Sequence, residues 1–325
     1  MNGDRPLLGI LLMAGFCLLA PLGDSMAKLL GDDVPLVQVV AARFAIQVLF
    51  LLPVVMLTGR TLAMTGRLYA LTALRTVFHI VGIGAMFLSL RYLPLADALA
   101  IAFVMPFIML LLGRFVLDEE VGSRRLIACA VGFAGTLLVI QPSFAEVGPP
   151  ALLPLLVAVF FALFMLVTRH IAKGVDAVSL QTVSGFMAAV LLLPLLWLAE
   201  GTGWAELDPV MPDGFAWRLL IAMGIIGSLA HLLMTWSLRF APSATLAPMQ
   251  YLEIPFATVI GWVVFRDFPN GLALAGIAVT MGAGLYIVFR ERALSRAPVA
   301  PAPAPQPPGL AAAGSRASRD RASGG

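Results

Sequence analysis

The sequence predicts an all-α membrane protein, with ten transmembrane helices arranged as two inverted five-helix repeats, and three observations carry that prediction. Hydrophobic residues make up 60% of the 325 residues and charged residues 12%, against roughly 45–50% and 25% in soluble domains. A soluble globule has too little interior to hide so much apolar surface. Windows of about 20 apolar residues, enough to cross a bilayer core, recur along most of the chain, and a series of short motifs in the first half returns in the second.

Apolar runs between charges and turn residues place helices near residues 7–28, 34–58, 68–91, 96–117, 125–141, 150–171, 177–199, 215–238, 244–265 and 271–290. The first follows Met1-Asn2-Gly3-Asp4-Arg5-Pro6 and continues to Lys28 without a small-x-small cleavage site, so it is kept as a helix and not as a secretory signal. Gly31-Asp32-Asp33 separates the first two helices, Thr58-Gly59-Arg60 closes the second, Asp118-Glu119-Glu120 the fourth, and Phe268-Pro269-Asn270 precedes the tenth. Connections are short except for the stretch from Glu200 to Gly214. Pro106 and Pro255 are expected to bend helices four and nine. Rows of small residues, Ala128-Gly132-Thr136 and Gly276-Thr280-Gly284, mark faces on which helices five and ten can pack closely.

Lysine and arginine near helix ends set orientation. One set of alternate loops and termini carries Arg5, Arg60, Arg67, Arg124, Arg125, Arg169, Lys173, Arg239, Arg290, Arg292 and Arg296; the other has only Lys28, Arg91, Arg218 and Arg266 and collects Asp32, Asp33, Glu146, Glu200, Glu206, Asp208 and Asp213. This bias predicts cytoplasmic N- and C-termini in a multi-pass inner-membrane protein. The expected divisions are residues 1–6, a cytoplasmic N-terminus; 7–142, the first repeat; 150–292, the second; and 293–325, a disordered cytoplasmic tail rich in Pro, Ala, Ser, Gly and Arg.

Several function classes fall away. The net charge of +3 is thinly spread, without an aromatic-lined polar surface, so no nucleic-acid partner is expected. Cys17 and Cys129 sit in apolar stretches, as packing residues. No phosphate loop, His-Glu-x-x-His helix or Gly-x-Ser-x-Gly elbow occurs, so no enzyme, cofactor or metal site is expected.

The internal repeat is specific. Ser89-Leu90-Arg91-Tyr92-Leu93-Pro94 returns as Ser237-Leu238-Arg239-Phe240-Ala241-Pro242, and after a one-residue slip Pro106-Phe107 matches Pro255-Phe256, Asp118 matches Asp267, Gly122 matches Gly271 and Gly135 matches Gly284. Five helices are an odd number, so the second copy enters from the opposite side, a construction common among secondary transporters. With Leu90 to Ala98 before helix four, Phe240 to Pro248 before helix nine and Tyr251 after it, residues 7–292 resemble the drug/metabolite transporter superfamily in its ten-helix, EamA-type branch. The resemblance implies a basket of helices around a central cavity and a small-molecule substrate: an amino acid, a derivative or a vitamin-like metabolite. An amino-acid or drug exporter of the same fold is the alternative, with a channel or receptor behind it. Self-association as a homodimer is left open.

Ionisable groups inside spans are informative, because a charge at the bilayer centre costs about 2.5–3.5 kcal/mol even on the lenient insertion scale. Glu253, about ten residues into helix nine, is the first candidate: a carboxylate that alternately binds a proton and a cationic group of substrate. The second half alone has it, since Val104 or Met105 takes the position in the first. His79 lies four residues after Arg75 on one helix face and would form a carboxylate-binding, proton-sensing element. Arg43 is a further candidate or a partner of Asp24, and Asp24 is also four residues before Lys28, a pairing typical of one subset of the family. Trp236, His231, Gln250 and Tyr251 complete the candidates, with interhelical packing as the competing role for each.

Overall fold

Backbone polar groups in hydrocarbon must find partners within their own segment or a closed sheet, and this chain uses helices. The computed structural model describes residues 5–31, 33–116, 123–241 and 246–295, and among them every regular element is helical. The helices are α1 (Pro6–Leu30), α2 (Leu36–Leu57), α3 (Gly66–Ser89), α4 (Leu95–Ala102), α5 (Met105–Val116), α6 (Ser123–Val147), α7 (Leu153–Ile171), α8 (Ala177–Ala199), α9 (Gly214–Phe240), α10 (Glu253–Ile260) and α11 (Gly271–Ser295). Eight stretches are long and apolar enough to cross a bilayer, the pair α4–α5 counting as one, and the shorter Met249–Phe265 and Gly271–Ala283 bring the crossings to ten.

Local chemistry sets the boundaries. Pro6 opens α1, where its missing N–H is no loss. Thr65 caps α3, Asp176 caps α8 and Asp213 caps α9, each accepting from free N–H groups of the first turn. The break expected at Asp118-Glu119-Glu120, the Gly122 match, residues 242–245 of the second motif and the tail from 296 lie outside the described residues.

The fourth and ninth crossings are interrupted, not merely bent. α4 stops at Ala102 and α5 starts at Met105, four residues before and one before Pro106. In the ninth, Ala247–Leu252 is a tight 3-10 turn, α10 begins at Glu253, and Gly261–Phe265 widens into a π-helical turn ending at Arg266. Pro106 and Pro255 cannot donate to the carbonyl four residues back, which loosens both crossings at matching points. Arg266 takes the left-handed conformation, φ 62°, rare for a residue with a side chain.

Packing repeats across the halves. α1 packs along α9 and α3 along α7, two pairs that exchange when the halves are swapped; so do α2 on α9 and α3 on α8. α2 on α8 and α4 on α10 are pairs of equivalents. Together the halves form one compact unit. The small-residue faces of α6 and α11 meet at Gly132, Gly135, Gly276 and Thr280, with the tightest approach at Gly135 against Gly276: a Cβ on Gly276 would lie 2.5 Å from the Gly135 carbonyl oxygen. Thr280 Oγ1 donates to the Gly132 carbonyl at 3.2 Å across this seam.

Polar pairs tie each end. At one, Lys28 pairs with Asp267 at 2.8 Å and donates to Leu93 O at 3.2 Å, while Arg91 meets Glu206 at 2.8 Å. Lys28 therefore turns away from Asp24, four residues back, because the chain brings a second acid, Asp267, directly opposite it. At the other end, Arg60 pairs with Asp176, and Arg169 donates to Leu238 O.

Candidate functional site

Four ionisable side chains from four crossings meet around one cavity inside the bundle. Asp24 lies on α1, Arg43 on α2, His231 on α9, and Glu253 opens α10; all four line a cavity of about 80 Å³. One water needs about 10–15 Å³ on this scale, so the space holds several waters or a small head group. Phe16, Phe87, Phe103 and Phe161 supply much of the remaining wall.

Arg43 is 2% exposed, yet among the described residues none of its hydrogen-bond partners is a carboxylate. It donates to Gly227 O at 3.4 Å and to Gln47 Oε1 at 3.5 Å, and one of its NH groups stands 2.9 Å from His231 Nδ1. Gln47 is fixed by donating to Gln181 O at 2.7 Å. His231 Nδ1 stands 2.9 Å both from the Arg43 guanidinium, which can only donate, and from the Gly227 carbonyl oxygen, which can only accept, so its role follows the tautomer; Nε2 is buried without a partner among the described residues. Gly227 makes room for this arrangement: a Cβ there would stand 2.9 Å from the guanidinium.

Glu253 is 6% exposed and Asp24 is partly exposed to the cavity. Neither carboxylate has a hydrogen bond or ion pair among the described residues, and both line the cavity together with Arg43. The cavity therefore holds two acids and one cation, all short of direct partners. Glu253 owes its place to the interrupted ninth crossing, where the 3-10 turn hands over to α10.

The other sequence candidates stand apart from the cavity wall. Arg75 is fully buried, with Nε on Thr168 Oγ1 at 2.7 Å, one NH on Ser184 Oγ at 3.0 Å, the other on Gln181 Oε1 at 2.9 Å, and its plane 4.3 Å from the Phe164 ring centroid. His79 lies between Phe164 at 4.3 Å and His231 at 4.4 Å, ring centre to ring centre, with both nitrogens unpartnered. Gln250 is buried against Met165 Sδ at 3.1 Å, and Tyr251 packs on Phe103, rings 5.2 Å apart. Trp236 belongs to a separate cluster with Leu51 and Val55.

Sequence reasoning missed Asp97. It is 7% exposed in the first turn of α4, accepts from Ser143 Oγ at 3.4 Å and keeps Oδ1 buried without a partner. The signal was present: an acid in an otherwise apolar helix start, inside the repeated motif. Among the described residues no three His, Cys, Asp or Glu side chains gather in a metal-binding group. Outside the membrane, burial alone would raise the Asp176 carboxyl, but the Ser179 N–H and Arg60 hold it below its usual value.

Comparison with known proteins gives a consistent result. The chain is 28% identical to a riboflavin transporter of Brucella anthropi over 81% of this chain and 91% of that one. It is 27% identical to an S-adenosylmethionine uptake transporter of Rickettsia felis over 84% of this chain and 90% of that one. A solved crystal structure shares the fold at a TM-score of 0.66 and 19% identity, over 90% of this chain and all of that one. The description "EamA-like transporter family" matches residues 7–141 and 149–290, so the chain belongs to that family and is a multi-pass membrane transporter of a small molecule.

Proposed function

We propose that the chain carries an amino acid, an amino-acid derivative or a vitamin-like metabolite across the inner membrane by alternating access, with the cavity between Asp24, Arg43, His231 and Glu253 as the substrate site. The observation that carries this reading is the convergence of four ionisable groups from both halves on one cavity, beside two crossings interrupted at matching points. Discontinuous helices are where secondary transporters of inverted-repeat design build their sites. The ion pairs at the two ends of the bundle act as gates that open in turn. The cavity is built from one chain, so the protomer is the transport unit whether or not two assemble as a homodimer.

In this reading Glu253 is the coupling carboxylate. Without a partner in an apolar cavity, an ionised carboxylate is costly by several kcal/mol, so it holds a proton until a cationic group replaces it. Asp24, Arg43 and His231 face the same space and set that exchange. Arg75 and His79 form a packing layer behind it, as do Gln250, Tyr251 and Trp236.

Glu253→Gln tests the proposal. Reconstituted protein should insert normally yet lose pH-dependent uptake, while Glu253→Asp keeps part of it; Gln transport equal to the parent across pH would refute coupling at this residue. Orientation has its own test. In a background without native cysteines, Ala205→Cys should react with an impermeant thiol reagent on intact cells and Ala63→Cys should not, with the N-terminus, the tail from 293 and the segment around Ala63 all cytoplasmic.

A further inference from the structure

We infer that Asp97 is the second partner of Lys28 in the transport cycle: with the periplasmic end closed, Lys28 holds Asp267 across the two halves, and it passes to Asp97 within its own half as that end opens. The inference rests on the reading of the end pairs as gates and names the residue that lets one of them open.

Asp97 is buried and barely solvated. It is 7% exposed, and its Oδ1 has no hydrogen-bond partner among the described residues. Its Oδ2 accepts from Ser143 Oγ at 3.4 Å, but that hydroxyl also donates to the Val139 carbonyl at 3.1 Å, so one hydrogen is divided between two acceptors. Helix capping does not account for the group. An acid at the third helical position ordinarily reaches back to the N–H of the capping residue, and the cap of α4 is Pro94, which has none. Nor does the repeat demand a charge here: aligned on Leu90-Arg91 and Leu238-Arg239, the second half has Thr245 where the first has Asp97. A buried carboxylate in this position is costly unless another state of the protein gives it a partner.

Lys28 is placed to be that partner. Its ammonium donates to Leu93 O at 3.2 Å and to Asp267 Oδ2 at 2.8 Å. Leu93 precedes Asp97 by four residues, roughly 6 Å of helix rise, so the flexible four-carbon stem of Lys28 can turn from one acid to the other at the mouth of α4. The two acids belong to different halves. Asp267 hangs on the end of the ninth crossing, where its N–H donates to Gly261 O at 3.2 Å and left-handed Arg266 turns the chain. A tilt or unwinding of that π turn withdraws Asp267 from Lys28. The Lys28 side chain is only 17% exposed, so an ammonium left alone there would oppose the withdrawal. Asp97 removes the opposition, because the bond lost between the halves is replaced by one inside the first half.

The test reads opening of the periplasmic end as the rate at which an impermeant thiol reagent labels Ala20→Cys, on the cavity wall, in the full-length protein without native cysteines on intact cells. Asp267→Asn leaves Lys28 only Asp97 and should speed labelling at least about tenfold, the shift that one charge-assisted hydrogen bond supplies. Asp97→Asn leaves it only Asp267 and should slow labelling at least about tenfold, while Asp97→Glu stays near the parent rate. If Asp97→Asn does not insert, Asp97→Thr takes its place, Thr being the residue the second half uses. The slowing should vanish when Lys28→Gln is also present, because the two residues act as a pair. A parent-like or faster rate in Asp97→Asn overturns the inference, as does a slowing that persists beside Lys28→Gln. The gate reading fails separately: if Lys28→Gln and Asp267→Asn both label like the parent, the pair holds nothing shut, and the exchange falls with it.

Discussion

Arg75 and Arg43 are both buried arginines on neighbouring helices, and the structure treats them in opposite ways. Arg75 is caged: two hydroxyls, one amide oxygen and an aromatic face meet the guanidinium with short, separate contacts. Arg43 is offered a histidine nitrogen and two oxygens at 3.4 Å and 3.5 Å, and it borders open space with two acids beyond. Burial alone therefore does not mark a functional charge. What separates the two is whether the fold has finished solvating the group.

The widest divergence is expected from glutamine at each position. Arg75→Gln leaves Thr168, Ser184 and Gln181 short of donors and should lower stability by about 3–5 kcal/mol, the usual result of breaking a buried charged network. Arg43→Gln should shift the thermal midpoint far less and reduce transport at least about a hundredfold, two or more charge-assisted bonds being lost. If the stability losses match, the distinction between cage and site fails. A smaller effect comes from Gly227→Ala, whose methyl would stand 2.9 Å from the Arg43 guanidinium. Displacing the guanidinium should raise KM severalfold with kcat little changed, at a stability cost of about 1–3 kcal/mol; an unchanged KM would show that Arg43's position is not critical.

Arg60 at the surface sets the lower end of the scale. Its pair with Asp176 is about one-third exposed, so it is worth about 0–1 kcal/mol, and the helix cap adds about 1 kcal/mol. The Asp176 carboxyl is held low, so its contribution is complete above the ordinary aspartate value and disappears as pH falls through the lowered one. Asp176→Ala should therefore lower the thermal midpoint slightly at pH 7 and less at pH 3. A larger loss at pH 3 would contradict the sign.

The sequence showed the ten crossings, since length and apolarity are one-dimensional properties, and Pro106 and Pro255 marked where the fourth and ninth would depart from straight helix, although a bend was expected and the structure has a break. Glu253 was visible for the same reason: a charge in an apolar run is conspicuous without a fold. Partners were not visible. Asp24 and Lys28 share a helix face, yet Lys28 meets Asp267, 239 residues away, and Arg43 finds His231 across 188 residues. Spacing tells which side chains point the same way, and only packing tells what stands opposite. Asp97 was passed over because its motif was read for the repeat and not for its charge. The 3-10 and π turns of the ninth crossing leave no composition signature, because they answer to strain transmitted along a packed helix.

The seam between Gly135 and Gly276 has a mechanical consequence. Interlocked side chains behave like gear teeth, since turning one helix against another forces rotamers through barriers. Where two glycines touch, backbone rests on backbone, and Leu138, Val139 and Thr280 border the contact without standing between the two backbones. Rotation of α6 against α11 about that point displaces atoms in proportion to their distance from it, least at the glycines and most at the helix ends. The crossing is a plain bearing placed at the middle of α6 and near the start of α11, and a side chain added there would act as a brake.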